Sequence, residues 1–198
     1  MSLAIFILPI DPLKTELEGW KERVNKELPN QPYALHPPHM TLINIEVLNE
    51  NEAIGVISSI SKNINPFQIS VISKNLFWND TATGGHTMFY CVERNEALFN
   101  LQQSLAKSLQ EMKKTIQPPK NLTKDKNYLK SFEKYGFPFV GNHWVPHFSV
   151  ASLQTKKTDI IINDFLQNNK RYDFMVNKFS IWRIDGDQHT KLKTLKLK

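Results

Sequence analysis

The sequence predicts an α+β fold of two similar lobes, in which antiparallel sheets line a central cleft and helices lie outside. Helical and strand-like segments alternate loosely along the 198 residues, and short turns join some strands as hairpins. A pentapeptide pattern occurs twice, 108 positions apart, which suggests a duplication with a pseudo-twofold relation between the copies. No glycine-rich phosphate loop is present, so a Rossmann fold or a P-loop is not expected. With 40% hydrophobic residues, the chain can bury one core, and we expect residues 1–198 to form a single bilobal domain.

Apolar residues spaced three and four apart predict the helices, and β-branched or alternating apolar residues predict the strands. The predicted helices are 13–28, 52–61, 96–116 and 157–167. The predicted strands are 3–8, 39–47, 67–72, 86–92, 144–151, 174–184 and a last one after the turn at 185–187. Between the third helix and the next strand we expect a long loop or lid, with a short helix over 128–134.

Positive charge is concentrated in two segments. The chain has 25 Lys and Arg against 19 Asp and Glu, a formal net charge of +6. Seven lysines and two acidic residues fall within 113–134, and four lysines and no acidic residue fall within 188–198. A basic loop or lid over 113–142 beside a site would attract a phosphate-bearing substrate. The alternative is a solvated loop and an edge strand that lysines keep soluble.

Cysteine content and hydropathy limit the cellular setting. The single cysteine, Cys91, excludes an intramolecular disulfide and a multi-cysteine metal site, and it indicates a reducing compartment. No stretch approaches the roughly 18 apolar residues of a membrane helix, and the apolar run at 3–8 lacks the flanks of a secretory signal. We expect a cytoplasmic protein, monomeric and without a membrane partner.

The repeated pattern is proline, histidine, large apolar, hydroxyl, aliphatic, at 38–42 and again at 146–150. Each copy follows a loop and lies on a predicted strand, where alternate side chains share a face. His39 and Thr41 therefore lie on one face of the first copy, and His147 and Ser149 on one face of the second. A pseudo-twofold relation would bring both pairs to the same cleft.

Two imidazoles and two hydroxyls suit in-line attack on phosphorus. One histidine can remove the proton of the nucleophile while the other protonates the leaving oxygen. The hydroxyls can donate hydrogen bonds to the non-bridging oxygens as negative charge develops there. This chemistry needs no cofactor and no metal.

The paired His-x-Thr/Ser motifs resemble the signature of the 2H phosphoesterase superfamily, which includes 2′-5′ RNA ligase-like proteins and cyclic nucleotide phosphodiesterases. The resemblance covers most of the chain and implies a bilobal α+β fold with the motif strands at a central cleft. It also implies metal-independent cleavage of 2′,3′-cyclic phosphates or 2′-5′ linkages, or reversible joining of RNA ends. Carried over to this sequence, His39 and His147 become the acid–base pair, and Thr41 and Ser149 become the phosphate-binding hydroxyls.

Two other functions remain open. In the first, four imidazoles gather around a metal; the residues concerned are His36, His39, His143 and His147. The prolines before each motif argue against a helical ligand pair, and neither motif contains a carboxylate or a cysteine. In the second, the chain is a non-catalytic nucleotide- or RNA-binding module that keeps the fold.

Other residues near the motifs are candidates for substrate contact. His36 and His143 are expected at the rim, and Tyr33, Trp144 and Phe139 could stack on bases, although aromatic residues near strands are more often core. The candidate lysines in the basic segment are Lys120, Lys124, Lys126 and Lys130. His86 and His189 are expected to be surface residues.

Overall fold

The computed structural model describes residues 1–122, 125–186 and 188–198. Eight strands and five α-helices lie within those ranges. The strands are β1 (Ser2–Ile7), β2 (Met40–Ile45), β3 (Phe67–Phe77), β4 (His86–Val92), β5 (His147–Leu153), β6 (Tyr172–Val176), β7 (Lys178–Asp185) and β8 (Gln188–Lys196). The helices are α1 (Leu13–Glu27), α2 (Glu50–Ser61), α3 (Glu96–Leu109), α4 (Lys126–Tyr135) and α5 (Ile160–Leu166).

The strands form two four-stranded antiparallel sheets. The first sheet has the order β2-β1-β7-β8 and the second has the order β5-β4-β3-β6. The predicted α+β fold class is thereby confirmed, and the two orders correspond strand by strand. In each sheet the strand with the His-x-hydroxyl motif lies at one edge.

The two halves of the fold exchange helices. The unit β1-α1-β2 supplies α1, which packs against β5 of the second sheet, whereas α3, which follows β4, packs against β2 of the first sheet. The edge strands β2 and β5 also lie against each other. A continuous core of buried apolar side chains extends through both sheets and the helices, and a second, small cluster is formed by Ala4, Phe6 and Trp182. The motif strands are thus fixed to one another by the same packing that forms the core.

Local capping explains where most helices begin. A side-chain oxygen at the residue before the first turn accepts a backbone N–H bond in α2, α3, α4 and α5. The capping residues are Asn49, Asn95, Asp125 and Asp159. Gly136, with φ +71°, ends α4 in the left-handed conformation that glycine adopts at little cost.

The predicted strand over 174–184 is wrong as a single element. The chain leaves the second sheet after Val176 and enters the first sheet at Lys178, so β6 and β7 are separate strands. The helix predicted over 96–116 ends at Leu109, because 113–114 instead pair with 46–47 beyond the end of β2. The strand predicted over 67–72 continues to Phe77 past a register shift.

The basic segment 113–142 is more structured than a loop, because it contains α4 and the beginning of a short 3₁₀ helix at Gly141–His143. The Asn121 amide donates to the Thr81 carbonyl in the β3–β4 hairpin at 3.1 Å. At its other end, Gly136 packs closely on Ile45 of β2. The segment therefore extends from the first sheet to the hairpin of the second. Whether it acts as a lid stays a prediction, and Lys124 lies outside the described residues.

Among the residues that the structure describes, no helix has the length and apolar character needed to cross a bilayer.

Candidate active site

Each motif strand carries a β-bulge directly after the motif hydroxyl. The register between β1 and β2 shifts so that Leu42 is an extra residue, and the register between β4 and β5 shifts in the same way at Val150. Both extra residues are fully buried. Thr41 and Ser149 precede them and are half-buried on the opposite side. The duplication therefore includes backbone irregularity as well as residue pattern.

The two motif histidines are held by identical backbone contacts. His39 Nδ1 lies 2.7 Å from the Pro37 carbonyl oxygen, and His147 Nδ1 lies 2.7 Å from the Val145 carbonyl oxygen. A carbonyl only accepts, so Nδ1 carries the proton in both rings. This leaves Nε2 as the atom that can take a proton when neutral or give one when charged.

The loops that precede the motifs repeat as well. Tyr33 and Gly141 lie six positions before the two histidines, and both have positive φ, 69° and 64°. The carbonyl of each accepts a backbone N–H three residues later, from His36 at 3.1 Å and from Trp144 at 3.0 Å. The structural repeat thus begins well before the pentapeptide that the sequence shows.

His39 lies in an aromatic and imidazole-rich part of the first sheet. Its ring stacks on Phe6 with centroids 3.9 Å apart and planes at 25°. The His189 ring lies 6.1 Å from His39 and 4.3 Å from His36. The expectation that His189 is a surface residue is therefore wrong: it is half-buried, because strand pairing within the first sheet brings β8 close to the motif.

His147 has different neighbours in the second sheet. Phe77 and Phe89 both present edge contacts to it with centroids 5.1 Å away, and they stack on each other. The Asp80 carboxylate in the β3–β4 hairpin acts on it electrostatically and favours its charged form. The two motif histidines therefore share a backbone geometry but differ in electrostatic surroundings.

Burial lowers the pKa of both histidines. The pKa of His39 falls to about 3, chiefly through desolvation, with repulsion from Lys21, His189 and His36 adding to the effect and the Pro37 carbonyl opposing it. Desolvation also lowers the pKa of His147, while the Val145 carbonyl and Asp80 favour its charged form. At neutral pH both rings are thus neutral in the free protein, and an arriving phosphate anion would favour protonation.

The two hydroxyl side chains are available as donors. Within the described ranges, neither Thr41 nor Ser149 forms a side-chain hydrogen bond. Each hydroxyl shares a motif with an anchored imidazole. Thr41, His147 and Ser149 therefore lie on two strands in contact, β2 and β5, and His39 directly precedes β2.

The remaining candidates for substrate contact lie in different surroundings. Tyr33 is half-buried, and its ring lies 5.6 Å from that of His36. Both residues therefore belong to the part of the site that contains His39. His143 instead faces Tyr128 of α4 at 5.8 Å. Lys120, Lys126 and Lys130 are exposed.

Two expectations about individual residues are corrected. Trp144 is only 4% exposed and its indole N–H donates to the Thr41 carbonyl at 3.1 Å, so its ring has no open face for a base. His86 is buried, not a surface residue, because its Nδ1 accepts the Asn79 N–H and its ring packs edge-on against Trp78.

The four-histidine metal hypothesis requires ligand side chains that converge on one point. Across 1–122, 125–186 and 188–198, no three or more His, Cys, Asp or Glu residues are grouped so that they could hold an ion. His36, His39 and His189 do approach one another, but as tilted rings without a converging set of ligand atoms.

Sequence reasoning missed several contributors to the site, among them Phe6, Lys21 and Gln102. Phe6 reads as an ordinary residue of an apolar strand. Lys21 and Gln102 are polar residues on the apolar faces of α1 and α3, and both are buried. A polar residue on an otherwise apolar helix stripe is a signal that sequence analysis can detect.

The paired dyads on a pseudo-twofold α+β scaffold define a 2H phosphoesterase-type protein. The chain belongs to the 2′-5′ RNA ligase superfamily, whose family model matches residues 9–188. The resemblance inferred from the motifs is thus confirmed. No curated protein is recognisably similar in sequence.

Solved structures with the same fold span the full chain at low identity. The protein TT0787 of Thermus thermophilus is 16% identical with a TM-score of 0.70, covering 100% of this chain and 98% of its own. E. coli LigT complexed with 3′-AMP is 13% identical with a TM-score of 0.55, covering 98% and 97%. E. coli LigT complexed with ATP is 14% identical with a TM-score of 0.56, covering 99% and 97%.

Proposed function

We propose that this protein is a metal-independent phosphodiesterase acting on 2′,3′-cyclic phosphates or 2′-5′ phosphodiester bonds of RNA-type substrates. The observation that carries the proposal is the duplicated histidine geometry. In both motifs a backbone carbonyl 2.7 Å from Nδ1 fixes the tautomer and leaves Nε2 for proton transfer. A single anchored histidine is common in proteins, but two copies on adjacent edge strands match the need for one base and one acid.

In the proposed reaction, Nε2 of one motif histidine takes a proton from water as the water oxygen attacks phosphorus. The bond from phosphorus to the 2′- or 3′-oxygen breaks, and Nε2 of the other histidine gives that oxygen a proton. The hydroxyls of Thr41 and Ser149 donate to the non-bridging oxygens, where charge increases in the transition state. With the 5′-hydroxyl of a second RNA end in place of water, the same two proton transfers would open a 2′,3′-cyclic phosphate. The new bond from phosphorus to the 5′-oxygen forms as the bond to the 3′-oxygen breaks, and a 2′-5′ linkage joins the two ends.

The lowered pKa values are compatible with these roles. A base must be neutral before reaction, and burial keeps His39 and His147 neutral in the free protein. The acid must be protonated when the leaving group departs, and the negative phosphate favours that form in the complex. The Phe6 face beneath His39 and the Phe77 and Phe89 edges beside His147 limit the motion of the rings.

The class of substrate has independent support. The family description names 2′-5′ RNA ligases, and LigT structures of the same fold hold 3′-AMP, ATP and NADP+. In the basic segment, Lys126, Lys130 and Lys134 lie at successive four-residue spacings on α4, and all are exposed. An RNA strand could extend from the motifs toward this stripe. We propose a cytoplasmic setting, where a lone cysteine such as Cys91 stays reduced, and a monomeric enzyme.

The alternative is a nucleotide- or RNA-binding module without turnover. The same dyads and lysines would then hold a phosphate without cleaving it. Binding of an RNA-type ligand with no product under any condition would establish this alternative.

The substrate class is tested by incubating the full chain with a panel of phosphodiesters and resolving products by chromatography. The panel comprises 2′,3′-cyclic mononucleotides, RNA ending in a 2′,3′-cyclic phosphate, 2′-5′ oligoadenylate and 3′-5′ oligoadenylate. We expect cleavage of at least one of the first three, with a single product isomer, and no cleavage of the 3′-5′ linkage. The product isomer shows which oxygen receives the proton.

Metal independence is tested in the same assay with EDTA. We expect unchanged rates after chelation. Loss of activity that zinc restores would instead support an imidazole metal site and contradict the proposal.

A further inference from the structure

Lys21 on α1 lies beneath the motif of the other half of the fold. Its ammonium group donates to the Val150 carbonyl at 2.7 Å and to the Tyr33 carbonyl at 2.6 Å. Val150 is the bulge residue of β5, and Tyr33 is the left-handed residue in the loop before His39. The residue is only 6% exposed. A lysine this deep is rare unless its donors are used.

Gln102 on α3 makes the corresponding pair of contacts in the other direction. Its amide nitrogen donates to the Leu42 carbonyl at 3.2 Å and to the Phe139 carbonyl at 3.0 Å. Leu42 is the bulge residue of β2, and Phe139 lies in the loop before His147. The Gln102 side-chain oxygen accepts the Gly141 N–H at 3.3 Å, and the residue is fully buried.

The two sets of contacts follow the pseudo-twofold relation. Each helix side chain links the loop before one motif to the bulge after the other motif. A bulge removes a residue from regular strand pairing, so its buried carbonyl needs another donor. Lys21 and Gln102 supply that donor and at the same time connect one histidine loop to the opposite hydroxyl strand.

We propose that Lys21 and Gln102 are paired positioning residues that keep the two His-x-hydroxyl dyads aligned with each other across the two halves of the fold. This inference rests on the proposed function, because the alignment matters for turnover only if the dyads act together. Neither residue is assigned contact with substrate. Each acts through the backbone of the motif that it holds.

The pair also makes the two halves electrostatically different, since only Lys21 is charged. The titratable and charged groups that face His39 are Lys21 from α1, His36 from the preceding loop and His189 from β8. His147 is instead influenced by the Asp80 carboxylate, and Cys91 lies opposite it on β4. The Lys21 ammonium therefore favours neutral His39, the form that a general base requires.

The test compares Lys21→Met and Gln102→Met, which keep volume but remove the donors, with Lys21→Gln. The glutamine variant gives α1 the same type of donor that α3 already has, without the charge. We expect each methionine variant to lose about 10- to 100-fold in kcat, with KM changed less, because small misplacement of reacting groups is costly. We expect Lys21→Gln to recover most of that loss. Lys26→Met, which removes an exposed charge from the same helix, is the control and should behave as the unaltered protein.

Two NMR measurements on the folded variants test, independently of turnover, whether Lys21 and Gln102 hold the motif strands. Removing the charge, in Lys21→Met and in Lys21→Gln, should raise the pKa of His39, whereas Gln102→Met should not. Amide exchange in β5 should accelerate in Lys21→Met, and exchange in β2 should accelerate in Gln102→Met. If Lys21→Met fails to fold, the His39 titration in Lys21→Gln still tests the effect of the Lys21 charge. If Gln102→Met fails to fold, Gln102→Asn, whose amide is one methylene shorter, takes its place in the turnover and exchange measurements.

Wild-type kcat in both methionine variants would overturn the proposal, as would unchanged His39 titration together with unchanged exchange. If the unaltered protein shows no turnover at all, the proposed function fails. The titration and exchange results would still show whether Lys21 and Gln102 hold the motif strands.

Discussion

Protonation of the desolvated motif histidines should make the protein lose stability in mild acid, and His39→Asn should remove much of that loss. Asparagine keeps an amide donor near the Nδ1 position, so the bond to the Pro37 carbonyl can persist while Nε2 is lost. The change therefore removes the titrating ring with little loss of anchoring. It separates the cost of charging His39 from the contribution of its hydrogen bond.

The direction of this pH effect follows from the linkage between proton binding and folding. The pKa of His39 is about 3 in the folded protein, against about 6.5 in an unfolded chain. The unfolded state therefore binds the proton more readily, and the stabilisation present above about pH 6.5 is lost as pH falls toward the folded pKa. Each pH unit in that interval is worth about 1.4 kcal/mol, so His39 alone removes about 2 kcal/mol between neutral pH and pH 5.

The assay is urea unfolding at pH 7 and pH 5, followed by circular dichroism. We expect the difference in unfolding free energy between the two pH values to be smaller by about 2 kcal/mol in His39→Asn. Thr41→Val, which changes the same dyad but keeps the ring, should show the full difference of the unaltered protein. An equal pH dependence in the unaltered protein and His39→Asn would refute the reasoning that burial suppresses protonation.

Three further perturbations follow from other parts of the molecule. Glu16→Leu should lower the unfolding free energy by about 3 kcal/mol, since it removes the carboxylate that pairs with the buried ammonium of Lys74. A loss below about 1 kcal/mol in denaturant titration would refute this. Gly141→Ala should lower the unfolding free energy by about 1 kcal/mol, because φ is positive at that residue. Gly19→Ala should raise it by about 1 kcal/mol, because Gly19 lies in the middle of α1 with open space around it. Melting temperatures that shift in the same direction in both variants would contradict this. Changing the α4 lysines Lys126, Lys130 and Lys134 together to Gln should weaken the binding of an RNA oligonucleotide. The slope of log K against log salt concentration should become shallower by about 2, while turnover of a cyclic mononucleotide stays the same. The matched triple Lys178, Lys193 and Lys196 to Gln should not alter RNA binding, and equal weakening by both triples would show that only overall charge matters.

Much of the site could be predicted because the chemistry is local in sequence. The residues of each dyad are two positions apart, and strand alternation alone puts His39 with Thr41 and His147 with Ser149. The apolar residue between them must lie on the core side, as Met40 does. Repetition of this short pattern was enough to indicate the family.

Contacts between distant segments were harder to predict. The approach of His189 to His39 depends on β8 joining the first sheet through β7, which the sequence near His189 does not encode. The division of 174–184 into two strands depends on Asn177 lying between partners from different sheets. A continuous apolar alternation looks the same whether or not the chain changes sheets.

The repeated bulge was not predictable from strand periodicity for a related reason. Ideal alternation places Leu42 on the face opposite Thr41, which is correct, but it then assigns Ile43 to the same face as Thr41. In the structure Leu42 and Ile43 are both buried, because the register shifts between them and β1. In the sequence, this irregularity is indicated by Lys21 and Gln102, two polar residues on apolar helix faces. Each donates to the carbonyl of a bulge residue.

The claim that two histidines act as one acid–base pair is tested most directly by the turnover of His39→Asn, His147→Asn and the double variant on the best cleaved substrate. Each single variant should lose about 10²- to 10⁴-fold in kcat while remaining folded. The double variant should be hardly slower than either single one, because removal of one partner already disables the unit. A single variant with near wild-type turnover, or losses that multiply in the double variant, would contradict the account.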